Sequence, residues 1–225
     1  MRSKLIFVLF FIVFGFLLLQ IPVNTLEGSR VKFTLFDLFA PVSAAFLGTP
    51  LGIFSVVAMQ AVNLLTHGFS GVDQTSILKL IATLRFLPMI FGVWMFAKKE
   101  GKLLVLPALS IIAFNLHPIG RTVWFYSLFW TIPFLMWPFR ERSLVARSLA
   151  STFTAHAVGG AIWIWAFNLP ANVWISLIPV VALERSIFAL GISASYILTS
   201  NVLGILSARK LIPKSITFDK RYLLK

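Results

Sequence analysis

The chain has 225 residues, of which 59% are hydrophobic and only 12% are charged. Soluble domains carry roughly twice that share of charged residues, so an ordinary water-soluble fold is excluded. The 15% share of aromatic residues likewise excludes a disordered chain, because disordered chains are polar and poor in aromatic side chains. At about 20 residues per crossing, the length predicts an all-α integral membrane protein. We expect one compact bundle of six to eight transmembrane helices over residues 1–225.

Eight apolar segments follow one another along the chain, at residues 5–23, 33–47, 51–66, 77–97, 103–119, 122–139, 144–167 and 173–206. The second and third are short, and only Gly48, Thr49 and Pro50 separate them. They predict a short helical hairpin at 33–66 that either crosses the membrane twice or is re-entrant. The last segment is too long for one straight helix and contains Pro179. It predicts a short interfacial helix followed by a span at about 186–206.

The basic residues are distributed unevenly between the loops. If the N-terminus lies in the cytoplasm, fourteen of the 20 lysines and arginines fall on that side. These are Arg2, Lys4, Lys98, Lys99, Lys102, Arg140, Arg142, Arg147, Arg209, Lys210, Lys214, Lys220, Arg221 and Lys225. Basic loops tend to stay in the cytoplasm, so the sequence predicts that both termini and a basic tail at 209–225 are cytoplasmic. The net charge of +13 then reflects topology and contact with anionic lipids at that face, and no nucleic-acid partner is expected.

Polar side chains concentrate in the outer half of the predicted bundle, whereas the cytoplasmic half of the spans is almost purely apolar. Polar groups inside a bilayer usually face the bundle interior or a water-filled cavity, so this distribution predicts a bowl that opens to the outside. Arginines bind carboxylates and phosphates through a two-pronged donor set. We therefore expect the bowl to bind a small acidic ligand. In an alternative interpretation, these residues form internal ion pairs or reach lipid headgroups.

Nine residues are predicted to line this ligand site, and they are Asn63, His67, Arg85, Arg121, Trp163, Asn168, Trp174, Glu184 and Arg185. The three arginines would hold the acidic group, the other polar side chains would give directional hydrogen bonds, and one tryptophan would stack on a planar ring. The tryptophans have an alternative interpretation as members of an interfacial belt. Because Glu184 and Arg185 are adjacent on a helix and point in different directions, each is expected to pair with another helix.

The sequence contains no constellation typical of catalysis or metal binding. Cysteine is absent, and His67, His117 and His156 lie on separate segments without metal-ligand spacing. No hydrolase, intramembrane-protease or P-loop motif occurs, so we expect neither an enzyme nor a bound cofactor. Small residues flank His156, which is expected to form hydrogen bonds inside the bundle, with ligand contact as the alternative.

One stretch of the sequence carries more information than its composition. Residues 33–41 read FTLFDLFAP, residues 44–52 read AAFLGTPLG, and a polar loop HGFSG follows at 67–71. This order resembles the front half of the substrate-binding S components of energy-coupling-factor (ECF) vitamin transporters. In that family a short helix has an Asp-x-x-x-Pro-like start, and a Gly-Pro-x-x-Gly-like turn follows. The last helix, with LIP at 177–179, is similar as well.

The resemblance implies a membrane subunit that captures a small, vitamin-like micronutrient from outside. It also implies partners, since in that family a transmembrane coupling protein and a pair of ATPases drive import. The implied location is the cell membrane of a prokaryote. The family forms its ligand pocket from outer loops and late helices, which agrees with the bowl inferred from the polar residues.

A second hypothesis is a multi-span scaffold of a cell-envelope or cell-shape assembly, similar to the small shape-determining membrane proteins of bacteria. Those proteins also have an aspartate near the start of an early span, followed by a glycine-rich hairpin. In that case the polar residues serve helix packing, and the basic tail at 209–225 recruits partners.

Overall fold

The computed structural model describes residues 2–25, 32–67, 86–213, 216 and 218–224. In its first part a two-stranded antiparallel ribbon connects one long helix to three further helices. These elements are α1 (Arg2–Leu19), β1 (Pro22–Thr25), β2 (Lys32–Thr34), α2 (Leu35–Phe39), α3 (Ser43–Leu47) and α4 (Thr49–His67). Helix α1 ends four residues before the predicted boundary at residue 23, because Pro22 disfavours the helical conformation in the residue before it.

In the second part, from Phe86 onward, every regular element is a helix. It comprises α5 (Phe86–Ala97), α6 (Val105–Leu116), α7 (Pro118–Thr122), α8 (Ile132–Met136), α9 (Leu144–Phe167) and α10 (Ala171–Ala208). Short 3-10 segments lie at Ala40–Val42, Gly101–Leu104, Trp124–Thr131, Trp137–Phe139 and Lys220–Tyr222. The predicted all-α class is therefore confirmed, with the small ribbon as an addition.

The predicted helical hairpin is present in the described part of 33–66. Its first half is the helical run from α2 to α3, and its second half is α4. Gly48 joins them with a φ of +84°, a left-handed conformation that glycine adopts without a steric penalty. A Cβ atom on Gly52 would overlap the backbone of Ala44, so this glycine allows α3 and α4 to pack in backbone contact.

Two predicted segments differ from the structure. Residues 122–139 do not form one α-helix, because a 3-10 segment, α8 and a second 3-10 turn divide them; Pro133 and Pro138 cannot donate the backbone hydrogen bonds of a continuous α-helix. The interfacial break predicted near Pro179 is wrong. Helix α10 runs through Pro179 without interruption for 38 residues, a length of about 57 Å at 1.5 Å per residue.

The buried side chains form two main clusters in the described residues. The N-terminal cluster contains Val8, Phe11, Phe39, Phe46, Met59, Phe96, Ile192 and Tyr196 among others. The aromatic cluster contains Phe114, Tyr126, Trp130, Phe153, Ile164, Trp174 and Val181 among others. Helices α9 and α10 contribute to both clusters. On α10, Val181 belongs to the aromatic cluster and Ile192 to the N-terminal one, so residues 184 and 185 lie at the boundary between them.

Two helices among the described residues are long and apolar enough to cross a membrane, with candidate spans at Thr49–Thr66 and Ala171–Ala208. Large apolar side chains also remain exposed along α1, where Leu5, Ile6, Leu9 and Phe10 each keep about 60% of their surface. Exposed apolar surface of this extent needs a nonpolar environment. The composition, the two helices and the exposed surface support membrane association.

Candidate functional site

The boundary between the two clusters holds a buried ion pair. Arg185 Nη2 donates to Glu184 Oε2 at 3.2 Å, and Arg185 Nη1 donates to Thr152 Oγ1 on α9 at 3.4 Å. Glu184 and Arg185 are only 5% and 7% exposed. Although the two residues are adjacent on α10, the long guanidinium side chain folds back so that their charges meet. Contact with a second helix is made through the hydroxyl of Thr152.

A small cavity adjoins this pair. Its volume is about 20 Å³, and α2, the following 3-10 turn, α5, α9 and α10 supply its lining. The lining residues are Asp37, Pro41, Met89, Gly92, Ser151, Thr152, Ala155, Arg185, Phe188 and Ile192. A cavity of this size accommodates one water-sized molecule. Two of the lining residues, Asp37 and Arg185, carry charge.

Local structure fixes the polar groups around the cavity. The backbone N–H of Thr34 donates to Asp37 Oδ2 at 2.8 Å, which orients the carboxylate at the start of α2. The Ser151 hydroxyl donates to the carbonyl oxygen of Gly92 at 2.7 Å. Because Gly92 has no side chain, α5 approaches α9 closely, and a Cβ there would lie 3.2 Å from the Cβ of Ala155. The cavity is therefore bounded by groups that hydrogen bonds and close packing hold in place.

A second polar group, half-buried, lies one helical turn away on α9. Trp130 Nε1 donates to His156 Nδ1 at 3.0 Å, and the Tyr126 hydroxyl is 3.2 Å from His156 Nε2. An indole N–H can only donate, so Nδ1 is an acceptor and carries no proton. The imidazole is then neutral with its proton on Nε2, which donates to the Tyr126 oxygen. This arrangement confirms the expected interior hydrogen bonding of His156.

The structure brings together few of the nine predicted ligand residues. Arg185 lines the cavity and pairs with Glu184, whereas Asn63 accepts a hydrogen bond from Gln20 Nε2 at 3.2 Å between α1 and α4. Arg121 is exposed, and its Nε donates to the carbonyl oxygen of Asn115 at 3.3 Å. The side chain of His67, and Arg85 altogether, lie outside the described residues.

The remaining predictions fall on the loop between α9 and α10 and on its flanks. Asn168 ends α9 in a left-handed conformation with a φ of +46°, which asparagine tolerates better than most residues. Trp163 packs on Phe167 with 5.7 Å between ring centroids. Trp174 is 2% exposed, and its indole donates to the carbonyl oxygen of Leu169. The predicted stacking role of Trp174 is therefore replaced by a core role in the aromatic cluster.

Distance also separates Trp174 from the ion pair. Arg185 follows Trp174 by eleven positions of continuous helix, which corresponds to about 16 Å along the axis. A small ligand bound at Arg185 would not reach that indole ring. The sequence prediction placed both residues in one bowl because both fall in the outer half of the predicted bundle.

Sequence analysis left Asp37, Ser151 and Thr152 out of the ligand set, although they line the cavity. Asp37 could have been identified from the sequence, since it is a charged residue in an apolar segment and belongs to the motif at 33–41. Ser151 and Thr152 could not be recognised in this way. Serine and threonine are common in membrane helices, where their hydroxyl groups also form hydrogen bonds to carbonyl oxygens of the same helix. Their position depends on the packing of α9 against α5 and α10.

A different pair of arginines lies at the end of the bundle where α5 finishes. Arg140 Nη2 donates to the carbonyl oxygens of Met95 and Phe96 at 2.9 and 3.3 Å, and Arg147 Nε donates to that of Phe96 at 2.6 Å. We call Arg140 and Arg147 the capping arginines. Carbonyl groups in the last turn of a helix have no partner within the helix and carry partial negative charge. These arginines therefore complete the end of α5.

No known family model, curated protein or solved structure matches the chain. Within the described ranges, no group of three or more His, Cys, Asp and Glu residues is arranged to hold a metal ion. Any functional conclusion therefore depends on the chemistry of the Glu184–Arg185 site.

Proposed function

We propose that this chain is a membrane-embedded substrate-capture subunit that takes up a small, acidic, vitamin-like micronutrient. The observation that carries the proposal is the buried Glu184–Arg185 pair beside a cavity lined by Asp37 and Thr152. Charged residues within membrane-spanning helices are costly and commonly mark a substrate path or binding site. The pair lies inside the candidate span Ala171–Ala208.

The ligand would bind by exchanging partners with the ion pair. In the described part of the chain, Arg185 lines the cavity together with Asp37, and its guanidinium group also pairs with the Glu184 carboxylate. An incoming carboxylate or phosphate would accept from both Nη1 and Nη2 of Arg185, in place of Thr152 and Glu184. The present cavity of about 20 Å³ is smaller than such a ligand, so capture requires its lining helices to separate.

The finer architecture belongs to the same proposal. Six to eight crossings and cytoplasmic termini are supported by the lengths of the apolar segments and the bias of the basic residues. A location in the cell membrane of a prokaryote is what the resemblance to ECF S components implies. The resemblance to ECF S components supports a transmembrane coupling protein and an ATPase pair as partners. The motif residue Asp37, which lines the cavity, connects that resemblance to the site.

Native mass spectrometry of the detergent-purified protein tests this function. We expect the wild-type protein to carry a small molecule of a few hundred daltons. The double variant Glu184→Gln/Arg185→Gln keeps two hydrogen-bonding side chains but removes both charges of the pair, so it should lose the bound mass without leaving the Glu184 carboxylate buried beside a missing arginine. Arg142→Ala is the matched control, because Arg142 is an exposed arginine next to the capping residue Arg140.

The outcomes separate the two hypotheses for this protein. Retention of the small molecule in the double variant would contradict the site. A wild-type protein that is consistently free of small molecules but retains other proteins would favour the multi-span scaffold.

A further inference from the structure

The C-terminal segment folds back on the bundle. We call its described residues, 209–213, 216 and 218–224, the C-terminal foot. The side-chain amide of Asn201 on α10 forms two hydrogen bonds to the foot. Its Nδ2 donates to the carbonyl oxygen of Tyr222 at 2.9 Å, and its Oδ1 accepts from the N–H of Leu224 at 2.7 Å. The same Nδ2 also donates to the carbonyl oxygen of Ile197, which fixes the orientation of the amide.

Side-chain packing supports the same arrangement. The ring of Tyr222 lies edge-on to that of Tyr196, with 5.5 Å between centroids, and Ile216 is 5% exposed within the N-terminal cluster. A Cβ atom on Gly204 would lie 2.8 Å from a methyl carbon of Leu223. The foot therefore has a defined position against α10.

The foot presents basic and apolar side chains together. Arg209, Lys210, Lys220 and Arg221 are all exposed. In the part of the foot that the structure describes, the one ion pair links Arg221 to Asp219 at 2.6 Å. Two large apolar side chains are exposed beside these cations, with Leu211 at 64% and Leu224 at 81%.

The foot lies at the same end of the bundle as the capping arginines. Arg221 Nη1 donates to the carbonyl oxygen of Glu141 at 3.2 Å, and the neighbouring Arg140 binds the last carbonyls of α5. Further exposed basic residues, Lys99 and Arg142, belong to this end. The foot thus extends a basic surface at one end of a bundle whose sides are apolar.

We propose that the C-terminal foot is a binding surface for anionic phospholipid headgroups, and that Asn201 is the residue that positions it. The chemistry of the surface favours this partner: basic side chains pair with lipid phosphates, and exposed leucines beside them enter the acyl boundary. A soluble acidic protein would match the charges but would leave no reason for Leu224 to be 81% exposed.

The proposal is tested by native mass spectrometry of the full chain purified with an equal mixture of phosphatidylglycerol and phosphatidylcholine. We expect the wild-type protein to retain phosphatidylglycerol in preference. Each basic residue near an anionic surface favours binding by about 1 kcal/mol, so Lys210→Gln/Lys220→Gln should lower the preference by up to about thirty-fold at low salt. Asn201→Ala keeps every charge of the foot but removes its clamp, and we expect it to lower the preference as well.

Lys98→Gln/Lys102→Gln is the matched control, since it removes two charges at the same end from lysines that share Glu100 as a partner. This control should change the preference less than the foot variants do. Equal retention of both lipids by the wild-type protein would overturn the proposal. Equal losses in the two double-lysine variants, or an unchanged preference in Asn201→Ala, would assign the effect to overall charge and equally overturn a positioned site. Monodisperse elution of Asn201→Ala confirms that its fold is intact, and none of these results depends on the captured ligand.

Discussion

Among the residues that the structure describes, arginines are buried in two places, and their partners differ. Arg185 is paired with a carboxylate and a hydroxyl, both on side chains, and it borders a cavity. The capping arginines bind backbone carbonyls at the end of α5. Backbone carbonyls at a helix end cannot be exchanged for a ligand without exposing the helix terminus. A side-chain partner can move aside, so only the Arg185 site combines a buried charge with the capacity to bind something else.

The first way to sharpen this comparison is to remove Arg185. Arg185→Ala leaves Glu184 buried without the partner that the pair provides, and breaking a buried ion pair typically costs about 3–5 kcal/mol. We expect a loss of that size in the free energy of unfolding, measured in detergent by tryptophan fluorescence. Glu184→Gln/Arg185→Gln should lose much less, because neither charge remains. Equal losses in both variants would show that the guanidinium is needed for packing and not for charge balance.

A smaller effect is expected at the other site. Arg140→Ala removes charge-assisted hydrogen bonds to the carbonyls of Met95 and Phe96, each worth about 1.5–3 kcal/mol. Because water can reach part of this helix end, we expect a net loss of about 2–3 kcal/mol in the free energy of unfolding. Binding of the small molecule at Arg185 should not change. The exposed neighbour Arg142, changed to alanine, should have little effect on stability.

A change in ligand binding on Arg140→Ala, at a temperature where the variant is folded, would contradict the division of roles. It would indicate that the end of α5 and the cavity act as one unit. Gly92 on α5 lines the cavity, and the carbonyl oxygens of Met95 and Phe96 on the same helix accept hydrogen bonds from Arg140. Because the two sites share α5, this measurement tests whether they act independently.

The sequence was informative where a local rule determines the structure. The hairpin turn forms at Gly48 because glycine adopts a positive φ without a steric penalty. The apolar composition of the chain indicates a nonpolar environment. The continuous course of α10 through Pro179 was not predictable from local rules, because a proline inside a helix normally breaks or kinks it. Neighbouring helices can satisfy the freed carbonyl group in a membrane protein, and that compensation depends on tertiary packing.

The same distinction applies to the site. Charged residues in apolar segments were recognisable, so Glu184 and Arg185 were identified. The ligand set was too wide because depth in the membrane was taken as proximity: Asn63, Arg121 and Trp174 share a predicted depth with the site but pack against other partners. Thr152 was missed because its role arises only from the packing of α9 on α10.

The smallest expected effect concerns the polar group that neighbours the Arg185 site on α9. The hydrogen bond from Trp130 fixes the proton of His156 on Nε2. Nitrogen-15 NMR of histidine-labelled protein at neutral pH, with His156 assigned by comparison with His156→Gln, should show an unprotonated Nδ1. Trp130→Phe removes the donor, so we expect a mixture of the two tautomers. We also expect a loss of about 1 kcal/mol in the free energy of unfolding, because one hydrogen bond is missing.

Trp163→Phe serves as the control. Trp163 packs on Phe167, so its replacement should leave the tautomer unchanged. A proton on Nδ1 in the wild-type protein would contradict the assignment. It would also leave the indole N–H of Trp130 facing a second donor, so the hydrogen bond between Trp130 and Nδ1 could not form.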